Sequence, residues 1–279
     1  MDDRVGEASA VAKILGAAAF WSTIGVASVL GGNYVELAFF RSLVAAAISL
    51  AFIRSASKAS LAAGLLLGAL FTIYPIAAVL AGVGTAAYLL YTAPLWTTLE
   101  ARAYGERVNK QSAASVALVL AAVALMALSA SRGSISVGGL AAGLASGAAY
   151  GSYIAAARYY SRLGRDEEVS LGAMPYTLFV SAPAALAYTL AFGAGDLARP
   201  ALAGLYLGVF ATVIPYRLFA SGVRAVGASR ASVLATIEPA LAAVWGYLLF
   251  GERPGPLVLA AYGLITAAAA LSARPPRGA

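Results

Sequence analysis

Two residues in this chain are charges set deep inside apolar runs, and they are the first candidates for chemistry. Glu238 stands in "ATIEPALAAVWGYLLF" with Pro239 immediately after it. It lies about eight residues into its apolar segment, or roughly 12 Å along a helix at 1.5 Å per residue. An ionised carboxylate at that depth costs about 3 kcal/mol or more unless it is paired or hydrated. Two roles therefore compete: a cavity or proton-coupling group, or a structural group that satisfies backbone freed by Pro239. Arg41 stands in "AFFRSLVAA", similarly deep. Its guanidinium stays charged, so it requires a partner, a wet cavity or an anionic substrate group. Glu36, about one turn away, is a candidate ion-pair partner. Arg217 is close enough to the end of its run to snorkel, and Glu100 reads as interfacial. Softer lining candidates are Trp21, Ser22, Tyr74, Tyr88, Tyr91, Trp96, Tyr150, Tyr153, Thr212 and Ser232. Aromatic faces around one acid and one base suit a neutral or zwitterionic solute, with amino acids first.

Other chemistries are poorly supplied. The chain has no histidine and no cysteine, so thiol nucleophiles, disulfides and His-based metal or proton sites are excluded. It shows no Walker A pattern, no "HExxH" and no paired intramembrane aspartates. The reading is a non-enzyme with no cofactor and no metal. The net charge of +7 reads as a topology signal and not as a nucleic-acid surface.

The elements that position these residues follow from composition. The 279 residues are 61% hydrophobic and 11% charged, against about 25% charged in soluble domains. Charges cluster between apolar stretches of about 20 residues, the length of a transmembrane helix. Runs such as "SVALVLAAVALMALSA" do not alternate as membrane β-strands do. The N-terminal "MDDRVGEASA" is acidic and polar, unlike a cleavable signal. The expected fold is an all-α polytopic membrane protein with ten spans: Val11–Leu30, Val35–Ile53, Leu61–Leu80, Gly84–Ala103, Ser112–Ser129, Gly138–Ala157, Val169–Phe192, Ala201–Gly222, Ala231–Phe250 and Pro256–Ser272. With both termini cytoplasmic, fourteen Lys and Arg fall on the cytoplasmic side and three, Arg132, Arg199 and Arg253, on the other, as positive-inside bias requires. Gly139, Gly143, Gly147 and Gly151 recur every fourth residue, a face that admits close backbone approach.

The halves echo each other. "AGLLLGALFTIYP" and "AGLYLGVFATVIP" share seven of thirteen residues at an offset of 140, ending at Pro75 and Pro215. Pro94 aligns with Pro239, and Gly105-Glu106-Arg107 with Gly251-Glu252-Arg253. Five spans per half is an odd number, so the second half enters the membrane from the opposite side, as in secondary transporters built from inverted repeats. The expected units are residues 1–133 and 134–279, with helix breaks at Pro75, Pro94, Pro215 and Pro239. Pro94 is matched by Pro239, whereas Glu238 has only Ala93 opposite it.

These features together resemble the drug/metabolite transporter superfamily, in its ten-helix EamA-like branch. The resemblance rests on the duplicated proline-to-"GER" pattern, "FWST" at 20–23 and "AFFRSLVAA" at 38–46 with its Arg. It implies a single-chain carrier in a prokaryotic plasma membrane, with a central cavity formed by both repeats and alternating access without ATP. Members move amino acids, nucleotide sugars, sugar phosphates, cations and drugs. The expected function is secondary transport of an amino acid or similar zwitterionic or neutral solute, with export as one direction and the direction left open by the sequence. Carriers of the other classes, and a channel or scaffold, are the alternatives. The expected partners are a small-molecule substrate and the lipid bilayer, with a monomer as default.

Overall fold

Apolar sequence in this chain folds as helix because only helices satisfy every backbone group internally in hydrocarbon. The structure is a computed structural model that describes residues 2–51, 57–101, 110–226, 231 and 234–272. Two expectations lie outside these residues: Ser232 and the first "GER" copy, Gly105-Glu106-Arg107. The described elements are α1 (Asp2–Ser22), α2 (Ile24–Leu30), α3 (Tyr34–Leu50), α4 (Lys58–Ala81), α5 (Val83–Leu90), α6 (Ala93–Ala101), α7 (Lys110–Ser131) and α8 (Val137–Ser161). Then come α9 (Asp166–Val169), a 3₁₀ segment Leu171–Thr177, α10 (Leu178–Phe192), α11 (Ala198–Gly208), a π-turn Val209–Val213, α12 (Ile214–Val226), α13 (Ile237–Phe250) and α14 (Pro256–Ser272).

Among the described residues, five stretches are long and apolar enough to cross a membrane: Ala8–Leu30, Lys58–Ala81, Lys110–Ser131, Glu167–Phe192 and Ala198–Phe219. Ile237–Phe250 and Pro256–Leu271 are shorter apolar helices. Large apolar side chains point outward from several of them. Leu186, Leu190 and Phe192 on α10 and Tyr247, Leu248 and Leu249 on α13 are all exposed, as lipid-facing surface requires.

Glycine decides how the inner helices pack. A Cβ at Gly139 would sit 2.7 Å from the backbone N of Ala81, one at Gly147 2.7 Å from the carbonyl O of Leu89, and one at Gly151 2.7 Å from that of Ala93. The periodic glycine face of α8 therefore seats the end of α4 together with α5 and α6. Gly204 and Gly208 admit α3 to α11 in the same way, meeting Phe40, Arg41 and Val44.

The helix breaks do not follow the prolines as expected. Pro75 lies inside the uninterrupted helix α4. Its missing N–H costs one ladder bond, and dense packing on both sides, Tyr74 and Pro75 both being buried, holds the helix together. Pro94 and Pro239 sit in the first turns of α6 and α13, where no N–H is required. The interruptions themselves are the turn at Tyr91–Thr92 and Thr236, and Tyr91 and Thr236 are 145 residues apart. Pro215 follows the π-turn Val209–Val213, a widened turn that absorbs the carbonyl a proline leaves unpaired.

A further break falls at Gly82 between α4 and α5. Its φ of +92° is available to glycine and strained for other residues. The start of α5 is then closed by a residue from far along the chain. The Glu252 carboxylate accepts from the N–H of Val83 (2.5 Å) and of Gly84 (3.1 Å). A carboxylate satisfies and complements the positive end of a helix. The second "GER" thus has a structural use that its repetition alone did not reveal.

Candidate functional site

The interrupted helices surround a cavity of about 640 Å³. Its walls come from both halves of the chain. Trp21, Ile24, Arg41, Phe71, Tyr74 and Leu90 face it from the first half, and Tyr150, Tyr153, Tyr216 and Glu238 from the second. Ser170 and Leu171, where α9 gives way to the 3₁₀ segment, and Arg217 on α12 also line it.

Arg41 is brought here by α3, whose register against α11 is fixed at Gly204 and Gly208. It is buried, at 4% exposure. Its Nε donates to Thr212 Oγ1 at 3.1 Å, and its guanidinium lies 3.7 Å from the Phe71 ring centroid. The π-turn presents Thr212, and the aromatic face supplies a cation–π contact. Glu36 is not its partner. Both Glu36 oxygens are buried without a hydrogen bond among the described residues. The reason is rotational: five residues turn a helix by about 140° at 3.6 residues per turn, so the two side chains leave α3 in different directions.

Glu238 is also buried, at 6% exposure. It sits in the first turn of α13, where the Thr236 break ends the preceding helix. Tyr91, at the break between α5 and α6, donates its hydroxyl toward Glu238 Oε2 (2.9 Å) and the Ala235 carbonyl (3.0 Å). The two interruptions are thereby joined across the halves. Among the described residues, neither Arg41 nor Glu238 forms an ion pair. Glu238 and Arg41 therefore face a common space without neutralising each other, with Arg217 also on its wall.

The structure brings Trp21, Arg41, Tyr74, Tyr150, Tyr153 and Glu238 to the cavity wall. Tyr91 and Thr212 stand behind it, holding Glu238 and Arg41. Ser22 accepts from Trp245 Nε1 at 3.0 Å, tying α1 to α13. Tyr88 is elsewhere, stacked on Tyr262 with ring centroids 3.8 Å apart. Trp96 packs beside Gly151 in another apolar cluster, its indole nitrogen buried without a partner among the described residues. Glu100, half-buried near the end of α6, accepts from Ser152 Oγ, a cross-helix bond between α6 and α8.

Sequence reasoning left out Phe71, Tyr216 and Phe219, which also line the cavity. Trp21 packs edge-on against Tyr216 at 5.6 Å and at a tilt against Phe219 at 5.4 Å. Proximity was the available signal: Tyr216 follows Pro215, and Phe71 is one turn before Pro75. Arg217 lies on the cavity wall and not only at the lipid interface. Among the described residues no group of three or more carboxylates could hold a metal ion.

An all-helical bundle with lipid-type exposed faces and a central cavity holding two unpaired charges defines a polytopic membrane protein. Residues 137–274 match the model of the EamA-like transporter family. An uncharacterized transporter from Archaeoglobus fulgidus is 33% identical over 171 residues, covering 61% of this chain and 59% of that one. The match thus spans about three fifths of that relative's length. A solved crystal structure superposes with a TM-score of 0.61 over 95% of this chain and 96% of that one, at 23% identity. That likeness shows a shared fold.

Proposed function

We propose that this chain is a secondary carrier that moves a small zwitterionic or neutral solute, an amino acid or close analogue, by alternating access. The observation that carries the reading is the unpaired placement of Arg41 and Glu238 on one aromatic-walled cavity. A carboxylate on the solute pairs with the guanidinium, and an ammonium with Glu238 and the surrounding aromatic faces. The volume falls within the range of about 300–1,000 Å³ that suits small-molecule sites.

Five spans in each half, entering from opposite sides, with both termini cytoplasmic, complete the reading. The 145-residue spacing of the two interruptions and the positive-inside count support it. In that orientation Ser170, Leu171 and Arg217 lie toward the cytoplasmic end of the cavity lining, and export is the direction proposed. The prokaryotic relative supports the plasma membrane as its location. Glu238 is the group that would carry a coupled proton.

The test is uptake of labelled amino acids into proteoliposomes. Saturable, competitor-sensitive flux is expected; linear and unselective flux would point to a pore and overturn the proposal. Organic cations, nucleotide sugars and sugar phosphates offered as competitors separate the remaining carrier classes.

A further inference from the structure

A second recess, of about 440 Å³, lies outside the central cavity between α2 and α11. Its walls are Thr23, Val26, Ala27 and Leu30 on one side and Arg199, Leu202, Ala203 and Tyr206 on the other. Thr23 meets Tyr206, their hydroxyls 2.7 Å apart, and past Leu30 the end of α2 closes on α11, where a Cβ at Gly31 would lie 2.9 Å from the Ala203 Cβ. The seven residues from Thr23 to Leu30, and from Arg199 to Tyr206, give walls roughly 10 Å long, within one half of a hydrocarbon core of about 30 Å.

The groove is closed at its deep end and open at its sides. Thr23 Oγ1 also bonds the Phe20 carbonyl at 2.6 Å, so the floor is satisfied and asks for no polar ligand. Ala27 and Ala203 are too small to fill the space between the helices. Leu30 and Leu202 are 63% and 68% exposed, which opens the groove to the surrounding apolar phase. An unfilled apolar slot of this kind forfeits dispersion contact along its whole length. At its outer end Arg199 is exposed, with no hydrogen bond or ion pair among the described residues. The nearby Asp196 is engaged in the α11 start, accepting from the Ala198 N–H at 3.0 Å.

We propose that this groove holds one acyl chain of an anionic phospholipid, with the lipid phosphate on Arg199. In the orientation proposed above, this is the leaflet opposite the cytoplasm. The site adjoins the α1–α2 break at Thr23, whose other side carries Trp21 and Ile24 of the central cavity. The lipid thereby braces the same break that shapes the solute site, without touching the solute.

Native mass spectrometry of the purified protein with phosphatidylglycerol or phosphatidylcholine of matched chains tests the site and requires no transported solute. Retention of phosphatidylglycerol over phosphatidylcholine is expected. Arg199→Gln, at an exposed position, should reduce that preference about fivefold, the worth of one basic side chain at an anionic lipid surface. Arg132→Gln, on another loop, should leave it unchanged. Ala27→Phe, which fills the groove, should lower retention of both lipids. Equal retention of both lipids by the unmodified protein, or a preference that survives Arg199→Gln, would overturn the proposal. So would equal losses in the two arginine variants, unchanged retention in a folded Ala27→Phe protein, or a protein dimer that phosphatidylglycerol disrupts. Should Ala27→Phe fail to fold, the arginine pair decides. Failure of solute flux in vesicles would leave this result intact, so the two readings fail separately.

Discussion

At the scale of single residues, the cavity depends on two charges whose supports differ. Glu238 takes one hydroxyl bond from Tyr91. A glutamine at 238 still offers a carbonyl oxygen to that hydroxyl, so Glu238→Gln should fold normally while lowering solute flux about tenfold or more, the cost of losing one charge-assisted contact. Proteoliposome flux measured across pH reads this directly, and unaltered rates with an unaltered pH profile would remove Glu238 from the mechanism. Arg41 is held by geometry as much as by charge. Lysine keeps the charge but loses the planar group that meets both Thr212 and the Phe71 face. Arg41→Lys should therefore weaken apparent solute affinity by about tenfold, seen as a raised half-saturation concentration with stability nearly unchanged. Neither support was visible in sequence. Thr212 and Phe71 are distant from Arg41 along the chain, whereas Glu36, adjacent on the same helix, offered itself and points elsewhere.

Helices in this bundle are placed by small residues and closed by distant caps. The Glu252 carboxylate at the start of α5 is worth about 0.5–2 kcal/mol by the usual cost of losing a capping side chain. Glu252→Ala should lower thermal stability by that amount in detergent, measured by loss of monodispersity on heating, while Arg253→Ala should have little effect. Glycine positions separate in the same assay. Gly147→Val would drive a side chain onto Thr92 and the Leu89 carbonyl and should cost about 1–3 kcal/mol, as over-packing does. Gly195 has nothing within 4 Å of an added Cβ, so Gly195→Ala should stay within about 0.5 kcal/mol. The period-four glycines were legible because helical periodicity alone brings them to one face. The break positions were not, because proline is compatible with a first turn and with a well-packed interior, so its presence does not say where the ladder stops.

For the molecule as a whole, the membrane arrangement is the open proposition, and the absence of cysteine makes it easy to examine. Single cysteines introduced at Ser134 and Gly195 should react with an impermeant thiol reagent from outside intact cells. One at Leu163 should react only after the membrane is opened. Ser134 and Leu163 flank α8, so labelling of both from the same side would break the ten-span arrangement. The same substitutions test the inverted repeat, since residues 1–133 and 134–279 must contain an odd number of spans each to enter from opposite sides.

Hydrophobic runs, clustered cations and a repeated proline pattern made the helical membrane class and the two buried charges readable from sequence alone. These properties are local or periodic, and the bilayer imposes them on any chain that crosses it. The repeat also pointed to the neighbourhood of the cavity. Only the tertiary structure decided which aromatic residues share that cavity, that Tyr88 and Trp96 belong to other clusters, and that Tyr91 joins the two helix interruptions through Glu238. It also assigned Glu252 to a helix start about 170 residues away. Such pairings depend on helix rotation and close approach between segments far apart in the chain, which neither apolar spacing nor charge count encodes.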